Sequence, residues 1–215
     1  MNTILLNIKK SIAVLMLFVF TAPVSAQVYS TKESSRFSFT GGMTSTKLLH
    51  DTVSYRPGIS FGGGFRYTIS LNDKFNIGID LLYTGKSFKL ESPIIKYRYF
   101  YVDVPLYLEY KMGENIRFDL GGQFSSFTNS KITILDGSKA NGVDTKNYNS
   151  IKSTDYSLLA GMDFDLSSDI SMGVRYNLSA SSFVKHGPVA FSVFELSFTY
   201  AVYRSHRQFG AKKEN

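Results

Sequence analysis

Apolar and polar residues alternate strictly along a segment near the middle of the chain, residues 100–111. One face carries Phe100, Val102, Val104, Leu106, Leu108 and Tyr110, and the other carries Tyr101, Asp103, Pro105, Tyr107, Glu109 and Lys111. A period of two residues indicates a β-strand with one apolar face and one polar face. The segment is longer than a common soluble strand of about five or six residues. It is also long enough to cross a bilayer, which takes roughly 9–11 tilted residues.

Seven other segments repeat this alternation, and no charged residue falls on their apolar faces. The eight predicted strands begin near Arg36, Ile59, Phe75, Lys96, Ile116, Asp155, Ile170 and Phe194. The connections alternate in length. Long ones are predicted at Thr44–Pro57, Phe88–Ile95, Asn129–Ser153 and Ser181–Pro188, and short ones at 71–74, 112–115 and 166–169. Short periplasmic turns and long extracellular loops are typical of outer-membrane barrels.

The sequence therefore predicts an all-β protein, an eight-stranded antiparallel up-and-down transmembrane β-barrel, with both termini periplasmic. A soluble β-sandwich also alternates, but its strands are shorter and its connections follow no such length rule. Tyrosines are expected at both membrane interfaces, as in the aromatic girdles of such barrels. They are Tyr67, Tyr110 and Tyr200 at the periplasmic end and Tyr83 and Tyr156 at the extracellular end.

The first residues have the features of a secretory signal. Lys9 and Lys10 precede an apolar run, Ile12–Phe20, and Val24 and Ala26 occupy the positions that a signal peptidase reads. The run is too short for a membrane anchor, which needs about 20 residues. We expect a cleaved signal peptide at 1–26, a periplasmic lead at 27–34, the barrel at 35–203 and a basic periplasmic tail at 204–215. The chain has no cysteine and a formal charge of +7.

Charged residues on the polar faces are expected to form a structural network in the lumen. Its predicted members are Arg66, Asp80, Asp103, Glu109, Arg117, Asp119, Asp163, Arg175 and Glu195. The interior of an eight-stranded barrel is just wide enough for side chains to fill it, and buried charges must be paired. We expect the three arginines to pair with Asp80, Asp119, Asp163 and Glu195. A small pore or ion path is the alternative.

The sequence offers little for catalysis or for cofactor and metal binding. His186 with Ser181 or Ser182 is a candidate for a rim enzyme, but no acid lies close by in sequence. No metal ligands are clustered in the sequence. The glycine run 62–64 lies within a strand and is not a phosphate loop, and Pro105 is expected at a bulge or bend. We therefore expect no enzyme activity, no catalytic residues, no cofactor and no metal.

The segment Tyr101–Tyr110 resembles a motif of the small outer-membrane β-barrel family of Bacteroidota, which includes the PorT-like proteins. Gly121-Gly122, Leu159-Ala160-Gly161-Met162 and Met172–Tyr176 are similar to later strands of that family. The resemblance implies a bacterial outer-membrane location and a structural, surface-display or partner-docking role. It also implies an alternative, a component of the type IX secretion machinery. The implied partners are outer-membrane lipids and an envelope or secretion-system protein, without nucleic acid.

Overall fold

The computed structural model describes residues 32–49, 55–90, 95–134, 141–143, 152–182 and 189–207. The predicted signal peptide, His50, His186 and the end of the basic tail lie outside these residues. The described barrel forms one compact unit, Glu33–His206. Within the described ranges, no helix is long and apolar enough to cross a membrane.

Eight long antiparallel strands form a closed barrel, which confirms the predicted fold class. The described strands are β1 (Lys32–Leu49), β2 (Tyr55–Ser70), β3 (Phe75–Leu90), β4 (Ile95–Met112), β5 (Ile116–Ile134), β6 (Asn141–Val143), β7 (Thr154–Asp165), β8 (Ile170–Ser179) and β9 (Ala190–Arg207). Each of the strands β1 to β5 pairs with the next one in sequence, and so do β7, β8 and β9. The pairs β5–β7 and β1–β9 complete the ring. The short β6 adds to β5 alone and is not one of the eight barrel strands.

Three tight turns close one end of the barrel, and local chemistry explains each. In turn 71–74, the Asn72 side-chain oxygen accepts hydrogen bonds from the backbone N–H groups of Lys74 and Phe75, both at 2.9 Å. In turn 113–115, Gly113 has a φ of 79°, a backbone conformation that residues other than glycine rarely adopt. In turn 166–169, the Ser167 hydroxyl accepts from the backbone N–H of Ile170 at 3.1 Å.

At the opposite end the strands run further than predicted. Strands β7 and β8, at 12 and 10 residues, are close to the length needed to cross a bilayer. Strands β3, β4 and β5, at 16, 18 and 19 residues, are longer than that and extend beyond the bilayer. The predicted loops at Thr44–Pro57, Phe88–Ile95 and Asn129–Ser153 were therefore too long, since each begins inside a strand. Likewise β9 continues to Arg207, past the predicted start of the tail at Arg204.

The outer surface carries a continuous apolar band. Its exposed residues include Phe61, Phe65, Tyr83, Leu106, Leu108, Leu120, Phe124, Tyr156, Leu158, Phe198 and Tyr200. Large apolar side chains exposed in such number are unlike the surface of a soluble monomer. This face is the one that the alternation predicted to face lipid.

Pro105 is predicted at a bulge or bend, and no register shift marks a bulge there. Its pairing with Gln123 on β5 continues the regular register, whereas the ladder to β3 is interrupted between the Ile79–Leu106 and Leu82–Asp103 pairs. Proline has no N–H to donate, so a ladder can stay regular only on the side that does not need that donor. The register shift of β4 lies elsewhere, between Phe100 and Tyr101.

Candidate functional site in the barrel lumen

The structure places all nine predicted lumen residues inside the barrel, and each is at most 9% exposed. They come from β2, β3, β4, β5, β7, β8 and β9. Residue parity explains this placement, because alternate residues of a strand point to opposite faces. The charges lie at different heights in the lumen, and they form separate groups.

Arg175 on β8 is the centre of the largest group. Its Nη1 lies 2.6 Å from Asp80 Oδ2, and its Nη2 lies 2.7 Å from Asp119 Oδ2. Its Nε also donates to Asp119 Oδ2, at 3.1 Å. The planar guanidinium can bridge two carboxylates in this way because its donors point in fixed, divergent directions. Arg175 therefore holds β3 and β5 together from the opposite side of the lumen.

Arg66 on β2 joins a third carboxylate to the same group. Its Nη1 donates to Asp163 Oδ2 at 2.7 Å, and its Nε lies 3.3 Å from Asp80 Oδ1. Asp80 is thus shared between Arg66 and Arg175. The predicted pairing of these two arginines with Asp80, Asp119 and Asp163 is what the structure shows.

Tyr107 on β4 packs between the two arginines. Its ring centroid lies 4.4 Å from the Arg175 guanidinium carbon, and its hydroxyl donates to Asp80 at 2.9 Å. Two glycines make space for these large groups. A Cβ at Gly78 would lie 2.3 Å from the Tyr107 ring, and one at Gly161 would lie 2.6 Å from Arg175 Cγ. Glycine is therefore required beneath the network for steric reasons.

A second group lies towards the tight turns, and here the predicted pairing was wrong. Arg117 binds Asp165, with Nη2 2.8 Å from Oδ1, and its Nε lies 3.8 Å from Glu109 Oε2. Glu109 also accepts a hydrogen bond from the Asn76 side chain. Arg117 and Asp163 are cross-strand neighbours, yet Asp163 points to Arg66. A position directly opposite on the next strand therefore does not decide the ion pair, because Asp163 instead reaches Arg66 across the lumen.

Two predicted acids remain outside these groups. Asp103 accepts a hydrogen bond from the Thr84 hydroxyl, and its second oxygen has no hydrogen-bond partner. Glu195 lies opposite Arg175 in the β8–β9 register and lines a small cavity beside Thr84. Within the described residues Glu195 forms no ion pair, so its predicted pairing with an arginine is not seen.

Sequence reasoning missed a third group, at the end away from the tight turns. Lys86 Nζ lies 3.3 Å from Asp155 Oδ2 and 4.3 Å from the centroid of the Tyr101 ring. The Lys86 amine contacts a buried cluster of apolar and aromatic side chains. The cluster contains Leu48, Phe88, Tyr99, Tyr101, Phe191 and Val193. Parity alone would have found Lys86, which lies an even number of residues from Asp80. This aromatic layer joins side chains of β1, β3, β4 and β9 inside the barrel.

The chemistry of these groups is that of charge compensation. Glu109, Asp119 and Asp163 bring carboxylate oxygens within 4.8 Å of one another, a proximity that their spacing in sequence conceals. Each of the three already faces an arginine. Two residues were candidates for a rim enzyme. His186 lies outside the described residues, and the Ser181 hydroxyl donates a hydrogen bond to Asp155 at 2.8 Å.

Comparison with solved structures shows the same fold. The attachment invasion locus protein Ail of Yersinia pestis is 14% identical, with a TM-score of 0.50, and the match covers 79% of this chain and 99% of Ail. Neisserial surface protein A is 13% identical, also with a TM-score of 0.50, covering 78% of this chain and 99% of that protein. No curated protein sequence matches the chain.

A family model gives the assignment that these distant structures cannot. The model for the outer membrane protein β-barrel domain matches residues 12–201, which include nearly all of the described barrel. The match agrees with the closed eight-stranded ring, the apolar outer band and the charged, packed lumen. The chain belongs to the outer membrane protein β-barrel domain family.

Proposed function

We propose that this protein is a closed, non-conducting outer-membrane barrel that acts as a rigid platform for the surface at its long-loop end. The packed lumen is the observation that carries this proposal. The ion pairs of Arg66 and Arg175 join side chains of β2, β3, β5, β7 and β8 in its middle, and the aromatic layer around Tyr101 packs further towards the long-loop end. A lumen that holds two packed layers of side chains supports a structural, display or docking role over a pore.

The proposed orientation has both termini in the periplasm. The tight turns at 71–74, 113–115 and 166–169 share one end of the barrel with the start of β1 and the end of β9. The other end carries the protruding strands β3, β4 and β5. Because periplasmic turns are short and extracellular loops are longer in barrels of this class, the protruding end would face the cell exterior.

The purified barrel is expected to give no stepwise current in planar bilayers. Ions would have to displace the Arg175 group, whose partners lie within hydrogen-bonding distance, and then pass the aromatic layer. A Tyr101→Ala/Phe191→Ala variant serves as a control. It opens only the aromatic layer, so it should stay silent too. Discrete openings from the wild-type protein would contradict the occluded lumen and favour the pore.

Single cysteines are expected to report the orientation on intact cells. The chain contains no cysteine, so each introduced thiol is the only one present. Ser153→Cys, exposed at the long-loop end, should react with a membrane-impermeant maleimide. Lys74→Cys, exposed in a tight turn, should react only after lysis. The reverse pattern would place the termini outside.

A PorT-like role in a secretion machinery is the second candidate, supported only by the sequence resemblance. It predicts that deleting the gene reduces secretion of type IX cargo and that the barrel co-purifies with other components of that system. A platform without that role predicts normal secretion in the deletion strain. We propose no enzyme activity for either role.

A further inference from the structure

Four cations form a row on the outer face of the protruding strands. Lys89 on β3 lies opposite Lys96 on β4, and Arg98 on β4 lies opposite Lys131 on β5. They share the face of Phe100, whereas the intervening Tyr99 points into the lumen and is 8% exposed. We call Lys89, Lys96, Arg98 and Lys131 the basic row.

The basic row concentrates positive charge that no acid among the described residues compensates. Directly opposed residues of antiparallel strands have Cβ atoms about 4.5–5.5 Å apart, and like charges placed so are destabilising. Within the described residues none of the four forms an ion pair. The Nε of Arg98 is buried without a hydrogen-bond partner. Burial, followed by the charges of Arg98 and Lys89, lowers the pKa of the Lys96 amine.

Acidic side chains are absent from this face in the part of the chain that the structure describes. The described acids occur in two other places. Asp80, Asp103, Glu109, Asp119, Asp155, Asp163 and Glu195 are buried in the lumen, and Asp73, Glu114, Asp165 and Asp169 lie at the tight-turn end. As far as the structure describes it, the outer face at the long-loop end is therefore basic, while the tight-turn end carries both signs of charge.

The basic row begins where the apolar band ends. Tyr83 and Phe100 stack at the upper edge of that band, with ring centroids 5.6 Å apart. Aromatic residues of this kind mark the membrane–water interface. Arg98 is the next residue outward on the same face of β4, about 7 Å further along the strand. The row thus lies at the level of lipid headgroups.

We propose that the basic row binds the phosphate groups of anionic lipids in the outer leaflet around the barrel. Phosphate oxygens accept charge-assisted hydrogen bonds from lysine, and arginine binds them in bidentate fashion. An anion between the opposed cations would remove the repulsion that the described residues leave uncompensated. The continuity of the row with the lipid-facing band favours a membrane lipid over a soluble ligand. The choice of leaflet rests on the orientation proposed above.

Binding of a bisphosphorylated lipid A to the full chain tests this inference. The barrel would be folded in neutral detergent micelles and titrated, and bound lipid counted by native mass spectrometry. K96Q/R98Q is expected to bind about thirtyfold more weakly than wild type, since each basic residue contributes separately to attraction by an anionic membrane surface. Lys131→Gln alone should weaken binding about fivefold. The Lys131→Gln variant serves as the test if the double variant does not fold.

The control removes the same charge elsewhere. K74Q/K111Q changes two lysines at the tight-turn end, where acids are also present, and is expected to keep wild-type affinity. Unchanged binding by K96Q/R98Q, or by Lys131→Gln if that is the folded variant, would overturn the proposal, as would an equal loss in the control. Displacement of the lipid by soluble heparin at equal charge concentration would instead assign the row to soluble polyanions. Cysteine labelling reads the orientation separately, so an inverted barrel that still binds lipid would lose only the leaflet assignment.

Discussion

Leu106→Arg is expected to destabilise the barrel in phosphatidylcholine vesicles by about 2–4 kcal/mol, the usual cost of arginine at the bilayer midplane on a barrel's lipid face. Leu106 lies near the middle of β4 on the apolar outer face and is 56% exposed to the surroundings of the protein. If those surroundings are hydrocarbon, a guanidinium placed there has no water and no counter-charge. Urea titrations in vesicles, followed by the heat-modifiable gel shift, measure the loss.

Met112→Arg is the matched control for that change. Met112 lies on the same face of the same strand, at the tight-turn end, and is 55% exposed. In water the two substitutions should cost equally little, because the two side chains are equally exposed. In a membrane, Met112 lies near the interface, where the cost falls to about 0–1 kcal/mol. Equal effects of the two arginines would contradict the depth assigned to β4.

Parity along the strands was enough to predict the two faces of the barrel. Asp80, Asp119 and Arg175 are buried, and Leu106 is exposed, as the alternation indicates. Parity predicts the faces within the bilayer because lipid excludes charge from one face of every strand. The face without charges in the sequence is therefore the outer face. The order of the strands then follows from the short turns and from closure.

Beyond the bilayer each residue keeps the face that parity gives it, but the apolar residues no longer lie on the outer face, as β4 shows. Phe100 faces out and Tyr101 faces in, but further along Arg98 faces out and Tyr99 lies buried. Above the membrane the outer face is wet and the lumen holds the aromatic layer, so charge lies outside and apolar groups lie inside. Alternation alone therefore does not show where such a strand ends, and the predicted loop at Phe88–Ile95 begins inside β3 and ends on the first residue of β4.

The sequence predicted the set of acids around Arg66 and Arg175, but not which arginine binds which acid. Arg66 on β2 reaches Asp163 on β7 across the lumen, a contact that depends on the stagger of the strands around the closed ring. Parity gives the side of the sheet that a residue occupies but not its height. Arg117 shows the consequence, since it binds Asp165 near the turns and not the predicted acids.

Arg175→Met is expected to cost about 3–5 kcal/mol of folding free energy, the usual effect of removing one partner from a buried ion pair. Arg175 is 1% exposed and supplies donors to both Asp80 and Asp119. Without it, Asp119 keeps no ion pair within the described residues, and Asp80 keeps only Arg66. The loss should appear as a lower midpoint of the heat-modifiable gel shift and of urea unfolding.

Two further variants separate the network from a general loss of packing. Adding Asp119→Asn to Arg175→Met removes the stranded charge, so the double variant should recover part of the loss, whereas a packing defect alone would give no recovery. Arg117→Met should cost less than Arg175→Met because Asp165, its close partner, is 20% exposed and can be hydrated. An unchanged unfolding midpoint in Arg175→Met would mean that water already screens these charges. The lumen would then be wet, and the pore would become the better reading of this barrel.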